Sequence, residues 1–158
     1  MARRAPFQIL VLPFRRTAPG RIEFAVLRRA DDANWQGVAG GGHVGESVVQ
    51  AARREALEEA GVPPTASLYR LKTQDTVPVN CFTASAEWPP DTYVIPQHFL
   101  ACDLTGMDIV LSGEHTEVRW EGFDEAVELL RYDSNKNALW ELAERLRRDD
   151  LPDPCGDA

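Results

Sequence analysis

Three glutamates, Glu55, Glu58 and Glu59, lie close together in the segment between Ser47 and Gly61. If that segment is helical, residues three and four apart share one side, so the carboxylates gather there. Like charges in this arrangement repel, and negative charge near the C-terminal end of a helix opposes the helix dipole. A divalent cation removes both penalties, because hard oxygen ligands are what Mg²⁺ prefers. The spacing therefore indicates a metal site, with a solvated charged helix surface as the ordinary alternative.

The segment carries the signals of a single helix. Ser47 is a typical N-cap and Gly61 a typical C-terminal glycine, and two prolines follow at once. Five apolar residues recur with helical spacing and form one stripe: Val48, Val49, Ala52, Ala56 and Ala60. Glu55 and Glu59 adjoin this stripe, which fits poorly with a fully solvated role.

Five of the 11 glycines fall between Gly37 and Gly45, just before this helix. Such crowding predicts a loop. The run also satisfies G-x-G-x-x-G, the dinucleotide-binding pattern, but no acidic residue follows about twenty residues later, where that fold requires one. A phosphate-binding P-loop is excluded too, because no Gly-Lys-Ser/Thr follows.

Other segments alternate polar and apolar residues or repeat with helical period, which predicts a mixed β-sheet flanked by helices. We expect an α/β (α+β) fold in a single domain over residues 1–158, with a β-hairpin near the N-terminus and a frayed tail at 149–158. The predicted strands are 8–14, 21–28, 35–39, 68–76, 81–84, 93–102 and 116–120. The remaining predicted helices are 123–130 and one capped by Ser134 that runs to about Arg148.

Composition restricts the partners. The chain has 158 residues, 44% of them hydrophobic, and a net charge of −8. Nucleic acid is not expected as a partner, because no basic surface stands out. No apolar run is long enough to cross a membrane. Three cysteines without metal or disulfide spacing favour a cytoplasmic location. An anionic substrate would need a cation between itself and so acidic a protein.

Residues 40–62 resemble the Nudix box, G-x5-E-x7-R-E-U-x-E-E-x-G-U, at every fixed position. The resemblance implies the Nudix fold and a metal-dependent hydrolase. By resemblance, Glu55 and Glu59 are the main metal ligands and Glu58 a further ligand. Carbonyls near Gly40 complete the coordination, and Arg54 pairs with a box glutamate, expected to be Glu46.

The flanks of the box resemble bacterial dihydroneopterin triphosphate pyrophosphatases, which also hydrolyse dATP. The similar segments are 28–36, Glu114-His115, Arg119-Trp120 and 134–138, and the likeness extends over about residues 8–146. Asymmetrical dinucleoside tetraphosphate hydrolases share the surroundings of Trp35 and the Glu-His pair.

This resemblance implies attack of water, assisted by Mg²⁺ (Mn²⁺ as a substitute), on a nucleoside-like triphosphate to give a monophosphate and pyrophosphate. The catalytic candidates are Glu58, Glu59, Glu114 and Arg54. Glu114 is a further metal ligand or the general base, whereas His115 is more often structural. The substrate-binding candidates are Arg28 and Arg29 for phosphate, Trp35 for stacking and Asn135 for the ring edge.

Two other functions stay open. One is an asymmetrical dinucleoside tetraphosphate hydrolase, and the other is a Nudix domain that binds a nucleotide without cleaving it. In each case the expected partner is a small nucleoside-like polyphosphate. The sequence leaves both a monomer and a homodimer open.

Overall fold

The computed structural model describes residues 2–158, which form one mixed β-sheet and three α-helices. The strands are β1 (Arg4–Thr17), β2 (Arg21–Arg29), β3 (Trp35–Gln36), β4 (Val38–His43), β5 (Leu68–Pro78), β6 (Val94–Asp103) and β7 (His115–Glu121). The helices are α1 (Val48–Ala60), α2 (Phe123–Leu129) and α3 (Asp133–Arg147).

The long strand β1 organises the sheet. It pairs antiparallel with β2 and β4 and parallel with β6, and β5 extends the sheet beyond β6. On the other side, β2 pairs with β3 and β7. The expected hairpin is confirmed, with Phe14 opposite Phe24. Because β1 alternates its side chains, it supplies residues to both surfaces of the sheet.

Each surface of the sheet is covered by helices. Ile9 and Val11 pack with the alanines of α1 in one core. Leu10 and Leu12, one position along, pack with α2 and α3 in the other core. This arrangement confirms the predicted mixed sheet flanked by helices. Among residues 2–158, no helix combines the length and apolarity needed to cross a bilayer.

The glycine-rich segment differs from the expected loop. Gly40, Gly41 and Gly42 belong to β4, which pairs with β1. A Cβ atom on them would overlap the Glu55 carboxylate, the Arg4 guanidinium and the Phe7 ring, respectively. These three glycines thus allow close packing over a strand, and of the five glycines between Gly37 and Gly45 only Gly45 has a positive φ, of 92°.

The prediction of a strand at 81–84 is wrong. Two short 3₁₀ helices, Val79–Cys81 and Thr83–Glu87, occupy this segment instead. It connects β5 to β6, which already pair with each other, so its backbone bonds are local, as from the Phe82 N–H to the Val79 carbonyl.

The start of α3 and the C-terminal segment also differ from expectation. Tyr132, without a side-chain cap, precedes α3, and Ser134 lies inside the helix. Residues 149–158 form no helix or strand, but the Cys155 N–H donates to the Leu68 carbonyl at 2.7 Å. The Cys155 carbonyl accepts from Arg53. These bonds attach to the domain a segment that was expected to fray.

Candidate active site

Helix α1 forms as the sequence predicts and carries the glutamates to the sheet. Ser47 and Gln50 form a reciprocal capping box, and Gly61 ends the helix at φ 65°. Three alanines, Ala52, Ala56 and Ala60, pack directly on the sheet. Because these side chains are small, α1 lies close to the sheet, and Glu59 on the same side is only 4% exposed.

Arg54 ties the helix to the preceding loop. Its Nε donates to Glu46 Oε2 at 2.8 Å, its Nη2 to the Gly41 carbonyl at 2.8 Å and its Nη1 to Glu55 Oε1 at 2.8 Å. The expected pair with Glu46 is therefore present. Hydrogen bonding from Arg54 lowers the pKa of Glu46, and the pKa of Arg54 is raised in turn. The arginine thus fixes the loop, the strand and one carboxylate together.

Glu55 rests against the bare backbone of Gly40, where a Cβ atom would overlap its carboxylate. Burial raises the pKa of Glu55, although Arg54 opposes this effect. Glu58 lies elsewhere. Its side chain is 58% exposed and forms an ion pair with Arg54 at 3.5 Å. Of the three clustered glutamates, the structure brings Glu55 and Glu59 inward and leaves Glu58 at the surface.

Glu59 opens into a cavity of about 300 Å³ that lies between α1 and the start of β7. Its lining consists of Arg29, Ala30, Asp31, Gln36, Glu59, Gly113, Glu114 and His115. Burial, hydrogen bonding to Glu114 and the charge of Glu55 raise the pKa of Glu59 to about 9. The Glu59 carboxyl is therefore held protonated near neutral pH, and its Oε2 atom is buried without a hydrogen-bond partner.

His115 shares this cavity and is 6% exposed. Within residues 2–158, neither of its ring nitrogens has a hydrogen-bond partner, and burial lowers its pKa. A neutral imidazole with free nitrogens can accept or donate a proton. From the sequence, His115 was a weaker candidate for a functional role than Glu114. A histidine at the start of a strand gives no local sign that it is buried beside carboxylates.

A second cavity, of about 460 Å³, adjoins the first at Arg29 and Gln36, which line both. Its walls include the aromatic rings of Phe82 and Tyr132. Asn135 contributes a side chain that is 2% exposed, and its Oδ1 atom is buried without a partner. A buried acceptor left unpaired costs about 1–3 kcal/mol, so this atom is available to a ligand.

The other sequence-predicted substrate residues are placed differently. Arg29 lines both cavities and donates from Nε to Asp31 at 2.8 Å. Arg28 is exposed and lines neither cavity. Trp35 packs against the core beneath α3 and also lines neither. The aromatic walls are instead Phe82 and Tyr132, which come from a 3₁₀ segment and from the residue before α3.

The donor set fits a hard divalent cation. It consists of oxygens only, it includes the unpaired Glu59 Oε2, and Gly40 leaves room for the Glu55 carboxylate. Burial is the main cause of the raised pKa values of Glu55 and Glu59, and the charges of neighbouring carboxylates add to it. Among residues 2–158, however, no three acidic, histidine or cysteine side chains are grouped closely enough to hold a metal ion as they stand. Glu55 and Glu58 are engaged by Arg54 instead.

The family model described as NUDIX domain matches residues 7–142, which is more than half of the chain. The chain belongs to the Nudix family. The match contains most of β1, the whole of α1 and residues of both candidate cavities, including Glu59, Glu114 and Asn135. Nudix proteins generally use a divalent metal such as Mg²⁺, in accord with the acidic donor set of this one.

Solved structures agree with this assignment. A protein of Listeria monocytogenes described as a Nudix hydrolase is 40% identical, with a TM-score of 0.84 over 93% of this chain and 98% of that one. A Caenorhabditis elegans Ap4A hydrolase is 22% identical, with a TM-score of 0.71 over 91% and 99% of the two chains. The Escherichia coli dihydroneopterin triphosphate pyrophosphohydrolase is 24% identical, with a TM-score of 0.69 over 88% and 95%.

These likenesses carry different weight. The Listeria protein is similar enough in sequence to support the family, whereas the other two show the fold alone. A comparison with curated proteins gave no match. The family model and the Listeria protein support assignment of the chain as a hydrolase of the Nudix family.

Proposed function

We propose that this Nudix protein is a Mg²⁺-dependent pyrophosphohydrolase that cleaves a nucleoside-like triphosphate, dihydroneopterin triphosphate or a dNTP, to a monophosphate and pyrophosphate. One observation carries the proposal. The cavity of acidic side chains and the cavity with aromatic and amide walls meet at Arg29 and Gln36. A triphosphate with one ring matches these two adjoining cavities, with its phosphates in the first cavity and its ring in the second.

The residues proposed to hold Mg²⁺ are Glu55 and Glu59, with the Gly40 carbonyl and with Glu58 as a further ligand. When bound, the cation supplies charge neutralisation of the phosphate oxygens and lowers the pKa of a coordinated water. Arg54 keeps Glu55 in place and fixes the loop that contains Gly40 and Glu46. Arg54 therefore acts by positioning, without contact to the substrate.

The proton of the attacking water needs an acceptor in the first cavity. Glu114 is the proposed general base, since it lines this cavity beside Glu59. Arg29, which lines both cavities, is placed to contact the phosphates between them. Arg28 is left out of the proposal, because it is exposed and lines neither cavity.

Ring binding is assigned to the second cavity. Phe82 and Tyr132 provide aromatic surface, and the unpaired Asn135 Oδ1 accepts from a ring N–H. Trp35, the aromatic candidate predicted from the sequence, packs in the core and has no such role in this proposal. A ring held there extends its phosphates toward Arg29.

A substrate screen tests the proposal. Pyrophosphate and phosphate release are measured with dihydroneopterin triphosphate, the dNTPs, diadenosine tetraphosphate and nucleotide sugars. We expect the highest kcat/KM for a triphosphate with a single ring. A kcat/KM for diadenosine tetraphosphate well above the triphosphates would overturn this choice in favour of a dinucleoside tetraphosphate hydrolase. Binding of these compounds without product release would indicate a nucleotide-binding domain.

A matched pair of variants tests the ring cavity. Asn135→Ala removes the unpaired acceptor, whereas Asn137→Ala changes an exposed residue on the same helix. We expect Asn135→Ala to raise KM about tenfold, as for loss of one hydrogen bond to a ligand. Asn137→Ala is expected to keep the native KM. Equal KM values for both variants would show that the ring binds elsewhere.

A further inference from the structure

A row of polar side chains crosses three strands along the wall of the larger cavity. Gln8 of β1 is the register partner of Gln97 of β6, and Gln97 is the partner of Asp75 of β5. All three line the cavity. Register partners lie on the same surface of a sheet, and adjacent strands are about 4.8 Å apart, so these side chains stand side by side.

The hydrogen bonds that Gln8 and Asp75 already form within the protein determine which of their donor and acceptor groups remain free for a ligand. Gln8 Oε1 accepts from Arg4, which leaves the amide N–H groups of Gln8 as donors. Asp75 Oδ1 accepts from the Thr76 N–H at 2.8 Å. No lysine, arginine or histidine in residues 2–158 forms an ion pair with Asp75. An ionised carboxylate accepts hydrogen bonds and cannot donate them, so the free lone pairs of Asp75 can bind only donors such as the N–H groups of a ligand.

The charge of Asp75 also fixes the direction of the substrate. A carboxylate without a cationic partner repels phosphate, whereas Arg29 lies at the junction with the acidic cavity. The phosphates therefore belong at the Arg29 end and the ring at the Asp75 end. This orientation rests on the function proposed above.

We propose that the row selects the 2-amino-4-oxopyrimidine edge that guanine and pterins share. In that edge, the 2-amino group and the adjacent ring N–H are neighbouring donors for the Asp75 carboxylate. The ring carbonyl beside them accepts from the amide of Gln97 on the next strand. Adenine presents a ring nitrogen lone pair where this edge has an N–H, and that lone pair would face the carboxylate. A site built for such donors rejects an analogue that lacks them.

The test compares kcat/KM for dGTP, dihydroneopterin triphosphate and dATP with the native protein, Asp75→Asn and Asp91→Asn. The Asp75→Asn change keeps the side-chain shape and an acceptor for the Thr76 N–H, while Asp91→Asn removes the same charge at an exposed site away from the cavity. We expect dGTP and dihydroneopterin triphosphate to exceed dATP at least about tenfold in the native protein and in Asp91→Asn. Asp75→Asn should reduce that ratio at least about fivefold. Comparison of kcat/KM for dGTP with that for dihydroneopterin triphosphate then shows whether the site prefers guanine or a pterin ring.

Equal values for dGTP and dATP, or an unchanged ratio in folded Asp75→Asn, would overturn the inference. Calorimetric titration of dGMP and dAMP in EDTA separates this outcome from a failure of the proposed function. Tighter binding of dGMP that Asp75→Asn abolishes supports the inference even where no triphosphate is hydrolysed. Equal affinities for dGMP and dAMP contradict it whatever the activity.

Discussion

Helices α1 and α3 both carry clustered glutamates, yet they use them in opposite ways. In α3, Glu141 and Arg145 form an ion pair at 2.8 Å, and Arg145 and Arg147 lie in the last turn, where the dipole favours positive charge. The last turn of α1 has no basic residue and contains Glu59. The first arrangement stabilises a helix, and the second keeps carboxylates available at some cost in stability.

The pKa values record this difference. Burial works to raise the pKa of Glu141, but hydrogen bonds from Lys72, Thr73 and Arg145 outweigh it, and the pKa lies below its ordinary value. Burial and the neighbouring acids Glu114 and Glu55 raise the pKa of Glu59 to about 9, and no basic side chain in residues 2–158 forms an ion pair with Glu59. A buried glutamate surrounded by hydrogen-bond donors, such as Glu141, is therefore structural, whereas one that such donors do not surround, such as Glu59, is a candidate for catalysis or metal binding.

The largest expected effect comes from removing metal. The acidic group on α1 has little other compensation, so excess EDTA should abolish hydrolysis of any accepted substrate, and added Mg²⁺ or Mn²⁺ should restore it. Product release with and without chelator measures this directly. Full turnover in EDTA would exclude the proposed metal role of Glu55 and Glu59.

Next in size is Glu59→Gln. The amide preserves shape but removes the ionisable oxygen, and we expect kcat to fall about 100-fold or more, the scale for loss of a transition-state electrostatic group. At pH 7 the metal-free variant should melt at a higher temperature than the native protein, because the native fold must keep neutral a buried carboxyl that ionises in the unfolded chain, and the amide carries no such cost. A folded variant with near-native kcat would contradict the assigned role.

Glu141→Ala should have the opposite effect, a loss of stability with little change in kcat. It removes the acceptor for the Lys72 and Thr73 N–H groups and the partner of Arg145, which should cost about 2–3 kcal/mol in the free energy of unfolding. Where the variant is folded, kcat should stay near native. Urea unfolding checks the change, with exposed Glu128→Ala as the control. A loss of kcat in fully folded Glu141→Ala would show that α3 also serves the chemistry.

The smallest expected effect is a pH trend measured in EDTA. Folded Glu59 binds its proton more tightly than the unfolded chain does, so its contribution to stability falls as pH rises from 4.5 toward about 9. Glu141, whose pKa is lowered, contributes stability above its unfolded pKa and loses it as pH falls below. Melting temperature from pH 4 to pH 9 should therefore decline more steeply in the native protein than in Glu59→Gln. Parallel curves would mean that Glu59 is not buried as described.

Much of the fold could be predicted because its signals are local. The caps at Ser47 and Gly61, the alanine stripe of α1 and the alternation in β2 each depend on neighbours a few residues away. The failures have equally physical causes. The glycines of β4 suggested a loop, since nothing nearby in sequence shows that Arg4, Phe7 and Glu55 pack across them.

The sequence alone was enough to predict the helix that presents Glu55 and Glu59, because its caps and apolar spacing are local signals. The resemblance to the Nudix box implied the pairing of Arg54 with Glu46, which the structure contains. The folded structure was needed to show that Glu114 and His115 lie beside Glu59, that Phe82 instead of Trp35 lines a cavity, and that Asp75 stands beside Gln97. These residues come from distant segments. Their meeting depends on strand register and helix packing, which arise from burial over the whole chain and leave no trace in local spacing.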